Sequence, residues 1–419
     1  MKKYIKNIVP VAALLLTMGT ATSCVGDLDV TPINPNIQTG LNIDGLFNKC
    51  YANFALAGNG GANGDCDIDG IDGGTSGFVR QTFNANELPT DEAICGWGDD
   101  GIAGFCYNSY NASNPMLIGL YARITTGIAY CNQYLAEAGD QDATKLAEIR
   151  FLRAYEYFSL MDGWGNIPFT LQPLTKPERY TRAQVYEWLE KELLEIEPSL
   201  SDAKAKKSTD AGYGRVDKAA CWLLLSRLYL NAEVYTGTPQ WEKAKSYAKK
   251  VMDSSYKLNT KSVNGWSAYQ MLFMGDNGET DAAYEGIFPL LQDGLKTTSW
   301  GTTLFLLAST YDQDMHANPN NPSATNGTDQ AWGGNRARPD LVKKFFPNGN
   351  VPNLESYATA EAAGDDRALF NGVNRSLDND DVATFKSGFG VAKFTNLKTD
   401  RKSTRLNSSH QLSSYAVFC

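Results

Sequence analysis

The sequence predicts a mainly α-helical fold in which tetratricopeptide-like helical hairpins support a loop-rich ligand-binding region with short strands. Apolar residues recur at helical spacing through most of residues 116–258. Gly, Asn and Asp concentrate at 58–115 and again after residue 258, where the helical spacing fades. Long irregular stretches in a compact domain usually carry function, so we expect the loops to hold the site.

Residues 1–23 have the organisation of an export signal, with lysines first, then an apolar stretch at 8–16, then small residues. The apolar stretch is too short to span a bilayer. Cys24 follows the small residues directly, as in a bacterial lipobox. We therefore predict that Cys24 is lipidated and that 24–40 form an extended leader. The alternative is a plain secretory signal followed by an unmodified cysteine.

Apolar spacing and helix-capping residues predict the elements of the next region, 41–258. The predicted helices lie at 41–57, 116–138 and 144–161, after Thr181 as far as Pro198, after Asp217, and after Pro239. Within this region, the stretch 58–115 is loop-rich and is expected to form the ligand loop.

The last two of these helices form a hairpin of the size of a tetratricopeptide repeat. Large and small residues alternate along W-x-x-A-x-x-Y-A, which suits the close packing of two helices. The predicted buried stripe of the second helix consists of Trp241, Ala244, Tyr247, Ala248 and Val251. Trp222, on the first helix, is assigned to the core as well.

Residues 259–399 contain only short apolar runs, such as GIFPLL and TTLFLLAS, among many Gly, Asn, Asp and Thr. This composition predicts loops and small strands that lie over the helices. Residues 400–419 differ from what precedes them, and DRKSTRLNSSH resembles the translation of a sequencing-adapter DNA. We expect native sequence to end near Thr399, so that 259–399 is an incomplete region.

The composition excludes several classes of function. A net charge of -9 argues against nucleic acid as a partner, because phosphate binding needs a basic patch. The chain has two histidines, His316 and His410, whereas most catalytic dyads, triads and zinc sites use histidine. Glycoside hydrolysis needs only two carboxylates and stays open.

The cysteines show no C-x-x-C pair and no zinc-site spacing. In an exported protein, Cys95 and Cys106 would close a short Gly-rich loop as a disulfide. The alternative is that they are buried free thiols.

The stretch GDCDIDGIDGG, residues 64–74, begins like a calcium-binding loop. The first, third, fifth and sixth positions of an EF-hand loop are filled by Asp65, Asp67, Asp69 and Gly70. The twelfth position is Ser76, where a bidentate Glu is needed. We therefore expect no cofactor, with a structural calcium ion as the remaining alternative. The loop is interpreted as the rim of a ligand site, where Asp72 either orients Arg80 or contacts a hydroxyl group of the ligand.

Six segments, in order, resemble those of the SusD/RagB family of glycan-binding outer-membrane lipoproteins. They are CVGDLDVTPINPN, FVRQTFNANELPTDE, AEIRFLRAYEYFSLMDGWGNIPF, GRVDKAACWLLLSRLYLNAEVYTG, QDGLKTTSWGTT and RARPDLVKKFF. The resemblance runs from Cys24 to about Thr399, and members of the family normally continue past that point.

The resemblance implies a non-enzymatic glycan receptor at the cell surface, attached to the outer membrane through its lipid anchor alone. It also implies a partner, a SusC-type TonB-dependent transporter, and starch or maltooligosaccharide as the ligand. The alternatives are another glycan or a peptide as the ligand, a glycoside hydrolase, and a helical-repeat scaffold.

The resemblance places an arc of aromatic side chains on Trp97, Trp300 and Trp332, and a polar pair on Arg80 and Asp100. The chemistry of these residue types fits a sugar, because an indole covers the apolar face of the ring while Arg and Asp bind its hydroxyls. All three Trp residues lie among Gly, Asp, Asn or Thr, outside the apolar stripes of the helices.

Overall fold

The structure is a computed structural model that describes residues 42–58, 66–139, 142–295, 297–316, 326–328 and 330–400. The predicted signal peptide, the lipidation site Cys24 and residues 401–419 lie outside these ranges. The chain divides into two compact units, Met1–Leu46 and Phe47–Cys419. Only residues 42–46 of the first unit are described, so the account below concerns the second unit.

The long helices follow the predicted ones closely. Helices of the described residues are α1 (Ile43–Ala52), α2 (Phe78–Glu87), α3 (Ile102–Cys106), α4 (Pro115–Glu137), α5 (Ala143–Trp164), α6 (Arg182–Ile196), α7 (Lys218–Leu230), α8 (Ala232–Thr236), α9 (Trp241–Met252), α10 (Thr303–Ala308), α11 (Gln313–His316), α12 (Pro339–Lys344) and α13 (Ser356–Ala363). Short 3₁₀ helices lie at Glu197–Ser199, Gln270–Phe273 and Asp281–Glu285. The prediction of a mainly α-helical fold is confirmed.

Strands are few and short, and they pair two by two in antiparallel fashion. The pairs are β1 (Ala93–Cys95) with β4 (Asn335–Ala337), β2 (Ile167–Phe169) with β3 (Glu178–Tyr180), and β5 (Phe370–Asn371) with β6 (Gly390–Val391). The first pair joins the loop after α2 to the region that follows α11, across more than half of the described chain.

Side chains at the predicted positions cap two of the long helices. Thr181 Oγ1 accepts a hydrogen bond from Gln184 N, while Gln184 Oε1 accepts one from Thr181 N, which is a capping box. Asp217 Oδ1 accepts hydrogen bonds from Ala219 N and Ala220 N at 2.8 and 3.2 Å. These local signals explain why α6 and α7 begin where the sequence predicts.

Successive helices form the scaffold, in which α4 packs against α5, α5 against α6, and α7 against α9. The predicted stripe of α9 is only partly right. Ala244 is buried, but Trp241 is 59% exposed. The Lys243 ammonium lies 5.0 Å from the ring of Tyr229, the penultimate residue of α7. Trp222 is half-buried and donates a hydrogen bond to Glu197.

One helix was not predicted, and one prediction of local structure is wrong. The helix α2 lies within the loop-rich stretch 58–115, and its buried face includes the polar residues Gln81 and Asn84, so that apolar spacing does not reveal it. The run TTLFLLAS forms α10 and not a strand, and every residue of α10 is buried. A short run that is buried on all sides carries no periodicity that separates helix from strand.

The six described cysteines are free thiols, and all except Cys66 are buried. Cys106 Sγ lies 3.4 Å from Cys95 N and 3.7 Å from Cys95 O, so the two residues touch without a disulfide. Burial raises the pKa of the Cys95 thiol to about 12. None of the helices within the described ranges combines the length and the apolar character that crossing a membrane requires.

Candidate functional site

The pairing of β1 with β4 brings two of the predicted site residues together. Cys95 lies opposite Asn335, and the ladder continues with a hydrogen bond from Gly96 N to Gly334 O at 3.1 Å. Trp97 comes just after β1, and Trp332 comes just before β4. Because the end of β1 is paired with the start of β4, the two tryptophans lie at the same edge of this strand pair. Trp332 is further fixed by a hydrogen bond from its backbone N to Ala308 O at 2.8 Å.

Trp332 lies between the other two predicted indoles. Its ring centroid is 6.2 Å from that of Trp97 and 5.8 Å from that of Trp300, with the ring planes inclined by 51° and 52°. Trp97 Nε1 donates to Trp332 O at 3.4 Å, and Trp332 Nε1 donates to Gln330 Oε1 at 2.9 Å. All three indoles are half-buried, so they form a bent aromatic surface that keeps contact with solvent.

Arg80, in the first turn of α2, borders this aromatic surface. Its guanidinium carbon lies 5.3 Å from the Trp97 ring and 5.7 Å from the Phe305 ring, both within cation–π range. The side chain is 11% exposed, and Nη2 donates to Asp99 Oδ1 at 2.9 Å. Its Nε is buried and has no hydrogen-bond partner among the described residues.

The carboxylate that forms an ion pair with Arg80 is Asp99, the neighbour of Asp100, which the resemblance proposes together with Arg80 as a ligand-binding residue. Asp100 is exposed, and the described part of the chain gives its side chain no hydrogen bond or ion pair. Two adjacent aspartates in a Gly-rich loop are equivalent in sequence, and only the path of the loop directs Asp99 towards Arg80. Phe305 was missed for a different reason, because it belongs to the apolar run TTLFLLAS, which the sequence analysis assigned to loops and small strands over the helices.

Asp72 is a second carboxylate near Arg80. Burial alone would raise its pKa, but hydrogen bonds from Thr75 and the charge of Arg80 outweigh this effect and lower the pKa. Asp72 Oδ1 accepts the hydrogen bond from Thr75 N at 3.0 Å and so shapes the loop before α2. Arg80 is therefore placed between carboxylates on two separate loops.

Close backbone approach at two glycines fixes the relative positions of these loops. A Cβ at Gly77 would lie 2.7 Å from Gly301 O, beside Trp300, and Arg80 N donates to the same oxygen at 3.0 Å. A Cβ at Gly334 would lie 2.5 Å from Trp97 Nε1. Both distances are too short for any side chain, so glycine is required where the loops meet.

The acidic loop, of which residues 66–74 are described, forms only part of the rim of this site. Asp67 points away from it, where Lys49 Nζ and Arg123 Nη1 approach its two oxygens to 2.8 and 2.7 Å and Tyr130 Oη donates at 3.0 Å. Both carboxylate oxygens of Asp67 thus contact positively charged side chains, which argues against Asp67 as a calcium ligand. Within the described ranges, no group of three or more His, Cys, Asp or Glu side chains is arranged to hold a metal ion. Asp65 lies outside those ranges.

The family described as "Starch-binding associating with outer membrane", a SusD-like family, matches residues 91–230. The starch-binding protein SusD of Bacteroides thetaiotaomicron is 36% identical over an aligned length of 440 residues, which covers 96% of this chain and 76% of SusD. This degree of similarity and coverage shows common membership, so the chain belongs to the SusD-like family.

Two solved structures share the fold. A laminarin-binding SusD-like protein gives a TM-score of 0.58 at 18% identity, covering 91% of this chain and 78% of that one. Surface glycan-binding protein A from Bacteroides thetaiotaomicron, in complex with laminarihexaose, gives 0.57 at 17% identity, covering 89% and 75%. At these identities the similarity concerns the fold alone.

SusD-like proteins bind carbohydrate and do not catalyse a reaction, so the prediction of a non-enzymatic protein is confirmed. The family description associates its members with the outer membrane, in agreement with the predicted cell-surface location.

Proposed function

We propose that the chain is a cell-surface receptor for starch-like α-glucans, and that the ligand lies on Trp97, Trp332 and Trp300. The observation that carries the proposal is that these three indoles, chosen from separate loops of the sequence, form one continuous surface beside Arg80. Tryptophans that only pinned their loops would not need to share a surface.

The curvature of the surface favours a coiled glucan. Successive indole planes are inclined by 51° and 52°, so a ligand that contacts all three must turn as it passes. An α-1,4-linked glucan coils in this way, whereas a flat, ribbon-like glucan would stack on one ring at a time. The similarity to the starch-binding SusD supports the same ligand.

The polar groups suit the rim of a sugar ring. Arg80 supplies donors, while Asp100, which is exposed, supplies acceptors for hydroxyl groups. We expect maltoheptaose binding to be measurable by isothermal titration. Trp332→Ala should weaken it about 30-fold, as the loss of a central aromatic contact usually does.

Trp241→Ala is the matched control, because Trp241 is an exposed tryptophan on the helical scaffold. It should bind maltoheptaose as the wild type does. The absence of binding heat with every α-glucan tested would reject the α-glucan proposal. Because one of the solved structures holds laminarihexaose, that β-glucan is the second candidate ligand and belongs in the same titration.

We further propose that lipid on Cys24 anchors the protein at the outer membrane and that bound glycan passes to a SusC-type TonB-dependent transporter. The sequence before and at Cys24 supports the anchor. Metabolic labelling with a fatty acid should mark the wild type and not Cys24→Ala. Affinity purification of the wild type from membranes should recover the transporter, and its consistent absence would contradict that part of the proposal.

A further inference from the structure

The three tryptophans of the proposed site are bordered by a further loop, residues 378–387. The tryptophan surface consists of Trp97, Trp300 and Trp332. Arg336, on β4, holds the loop, because its Nη2 donates to Val382 O at 2.7 Å and its Nε donates to Ser387 O at 2.5 Å. The Arg336 side chain is itself buried. The loop is therefore attached to the strand that follows one of the three indoles.

Two glycines next to the tryptophans contact this loop. A Cβ at Gly96, the residue before Trp97, would lie 2.5 Å from a carbonyl oxygen of the loop. A Cβ at Gly333, the residue after Trp332, would lie 3.5 Å from Cγ of Phe385. The loop is thus packed against the backbone that carries two of the indoles, and Phe385 is the aromatic side chain that it places there.

A buried arginine holds the ring of Phe385. The guanidinium carbon of Arg375 lies 4.9 Å from the centroid of that ring, within cation–π range. The Arg375 side chain is 1% exposed, and its Nη2 donates to Asp312 Oδ1 at 2.7 Å. Its Nε and Nη1 are buried and have no hydrogen-bond partner among the described residues. Because a desolvated cation attracts a ring face strongly, Phe385 is fixed in place before any ligand arrives.

The ring of Phe385 nevertheless keeps contact with solvent, since the residue is only half-buried. Its neighbours are polar and exposed. Thr384 Oγ1 donates to Asp381 Oδ2 at 2.6 Å, and both side chains are open to solvent. An aromatic ring beside a hydroxyl group and a carboxylate is the combination that suits a sugar, which has apolar C–H faces and a rim of hydroxyls.

We propose that Phe385 provides a further sugar subsite, next to Trp332, for a glucan that lies on the tryptophan surface. The ring packs on the apolar face of one glucose unit, while Asp381 and Thr384 bind its hydroxyls. This inference rests on the proposed function, because a fourth ring matters only to a ligand that follows the other three. Its consequence is a preference for longer oligosaccharides, since a short one lies on the indoles without reaching Phe385.

The test is isothermal titration of maltotriose and of maltoheptaose into the wild-type protein and its Phe385 variants. Phe385→Ala should weaken maltoheptaose binding about fivefold, because one aromatic contact is lost. It should change maltotriose binding less than about twofold, because the trisaccharide is held by the tryptophan surface. Phe385→Tyr keeps the ring and should bind both sugars as the wild type does.

Phe385→Leu separates stacking on a sugar from packing of the loop. Leucine keeps most of the apolar volume but has no flat face, so this variant should resist denaturant better than Phe385→Ala and yet bind maltoheptaose equally weakly. Phe345→Ala is the matched control. Phe345 is also half-buried and also has a guanidinium near its ring, that of Arg367 at 5.9 Å, but it packs against Phe370. It should bind both sugars as the wild type does.

Two results would overturn the subsite while leaving the receptor function intact. One is a Phe385→Leu variant that binds maltoheptaose like the wild type, since the side chain would then only fill space. The other is an equal loss of affinity for both sugars in Phe385→Ala, which would indicate displaced tryptophans. In both cases the wild type still binds maltoheptaose and Trp332→Ala still weakens it. A wild type that binds no α-glucan would overturn the subsite and the proposed function together.

Discussion

Asp99 fixes how Arg80 is presented beside the tryptophan surface, through an ion pair at 2.9 Å that holds the guanidinium over Trp97. We predict that Asp99→Asn lowers the affinity for maltoheptaose about threefold, since a pair with a partly exposed partner contributes well under 1 kcal/mol. Isothermal titration measures the affinity. The fluorescence of Trp97 should also change, because the cation moves relative to the ring.

Asp100→Ala is the natural comparison, since Asp100 is adjacent and exposed. If Asp100 accepts a hydrogen bond from the sugar, this variant loses affinity because alanine has no acceptor, while the ligand-free fluorescence stays that of the wild type. A ligand-free spectrum and an affinity that are both unchanged in Asp99→Asn would contradict the positioning role of Asp99.

Gly334 controls the orientation of Trp97 although its own atoms need not touch a ligand. A methyl group at this position would overlap the indole, with Nε1 2.5 Å away, so Gly334→Ala must displace Trp97. We predict a loss of affinity of about tenfold, because a central aromatic contact is misplaced. Gly98→Ala is the control, since a Cβ at Gly98 meets no atom within 4 Å. Equal affinities of the two variants would show that the position of Trp97 is unimportant.

Single residues of the site were predictable to different degrees. The three tryptophans stand out because an indole in a Gly-rich loop has no apolar stripe to join. Phe305 does not stand out, since the same apolar run that supplies it to Arg80 also fills the core. The choice between Asp99 and Asp100 depends on the path of the loop, which no residue type specifies.

At the scale of elements, the acidic loop is attached to the helices by Asp67. The side chain of Arg123 is completely buried on α4, and Asp67 is its ion-pair partner at 2.7 Å. We predict that Asp67→Asn lowers the free energy of unfolding by about 3 kcal/mol, because a buried guanidinium loses its counter-charge. Denaturant unfolding measures the change.

Asp69→Asn serves as the control for the same loop, since Asp69 is exposed. It should leave the stability unchanged. If the loop held a calcium ion instead, both variants would lose comparable stability and the wild type would respond to a chelator.

The stabilisation that the ion pairs of Asp67 provide depends on pH, and the sign of this dependence follows from its pKa. Burial raises the pKa of Asp67, but Lys49 and Arg123 outweigh it, so the folded pKa is lower than usual. The stabilisation by Asp67 is therefore complete above the pKa of about 3.9 that this residue has in the unfolded chain. It is lost as the pH falls towards the lower pKa of Asp67 in the folded protein. The difference in unfolding free energy between wild type and Asp67→Asn should shrink between about pH 5 and pH 3. A difference that stays constant over this pH range would contradict a stabilising role of the ionised Asp67 side chain.

Elements were predictable where local signals were strong. The helices α4 to α7 begin at capping side chains or prolines and carry long apolar stripes, so their positions follow from the sequence. The helix α2, which carries Arg80, was not predictable because its buried face is half polar. The pairing of β1 with β4 could not be predicted, since two strands of three residues that lie far apart in sequence have no local signal.

At the scale of the whole molecule, the net charge of -9 bears on the class of ligand. A negatively charged protein repels anionic polysaccharides at long range, whereas a neutral glucan that stacks on indoles feels no such field. We predict that the affinity for maltoheptaose changes less than about twofold between 50 and 500 mM NaCl, because stacking and hydrogen bonds to a neutral ligand are not screened. Isothermal titration at several salt concentrations measures this. An anionic oligosaccharide that bound more tightly than maltoheptaose, with a steep dependence on salt, would contradict a receptor for neutral glucans.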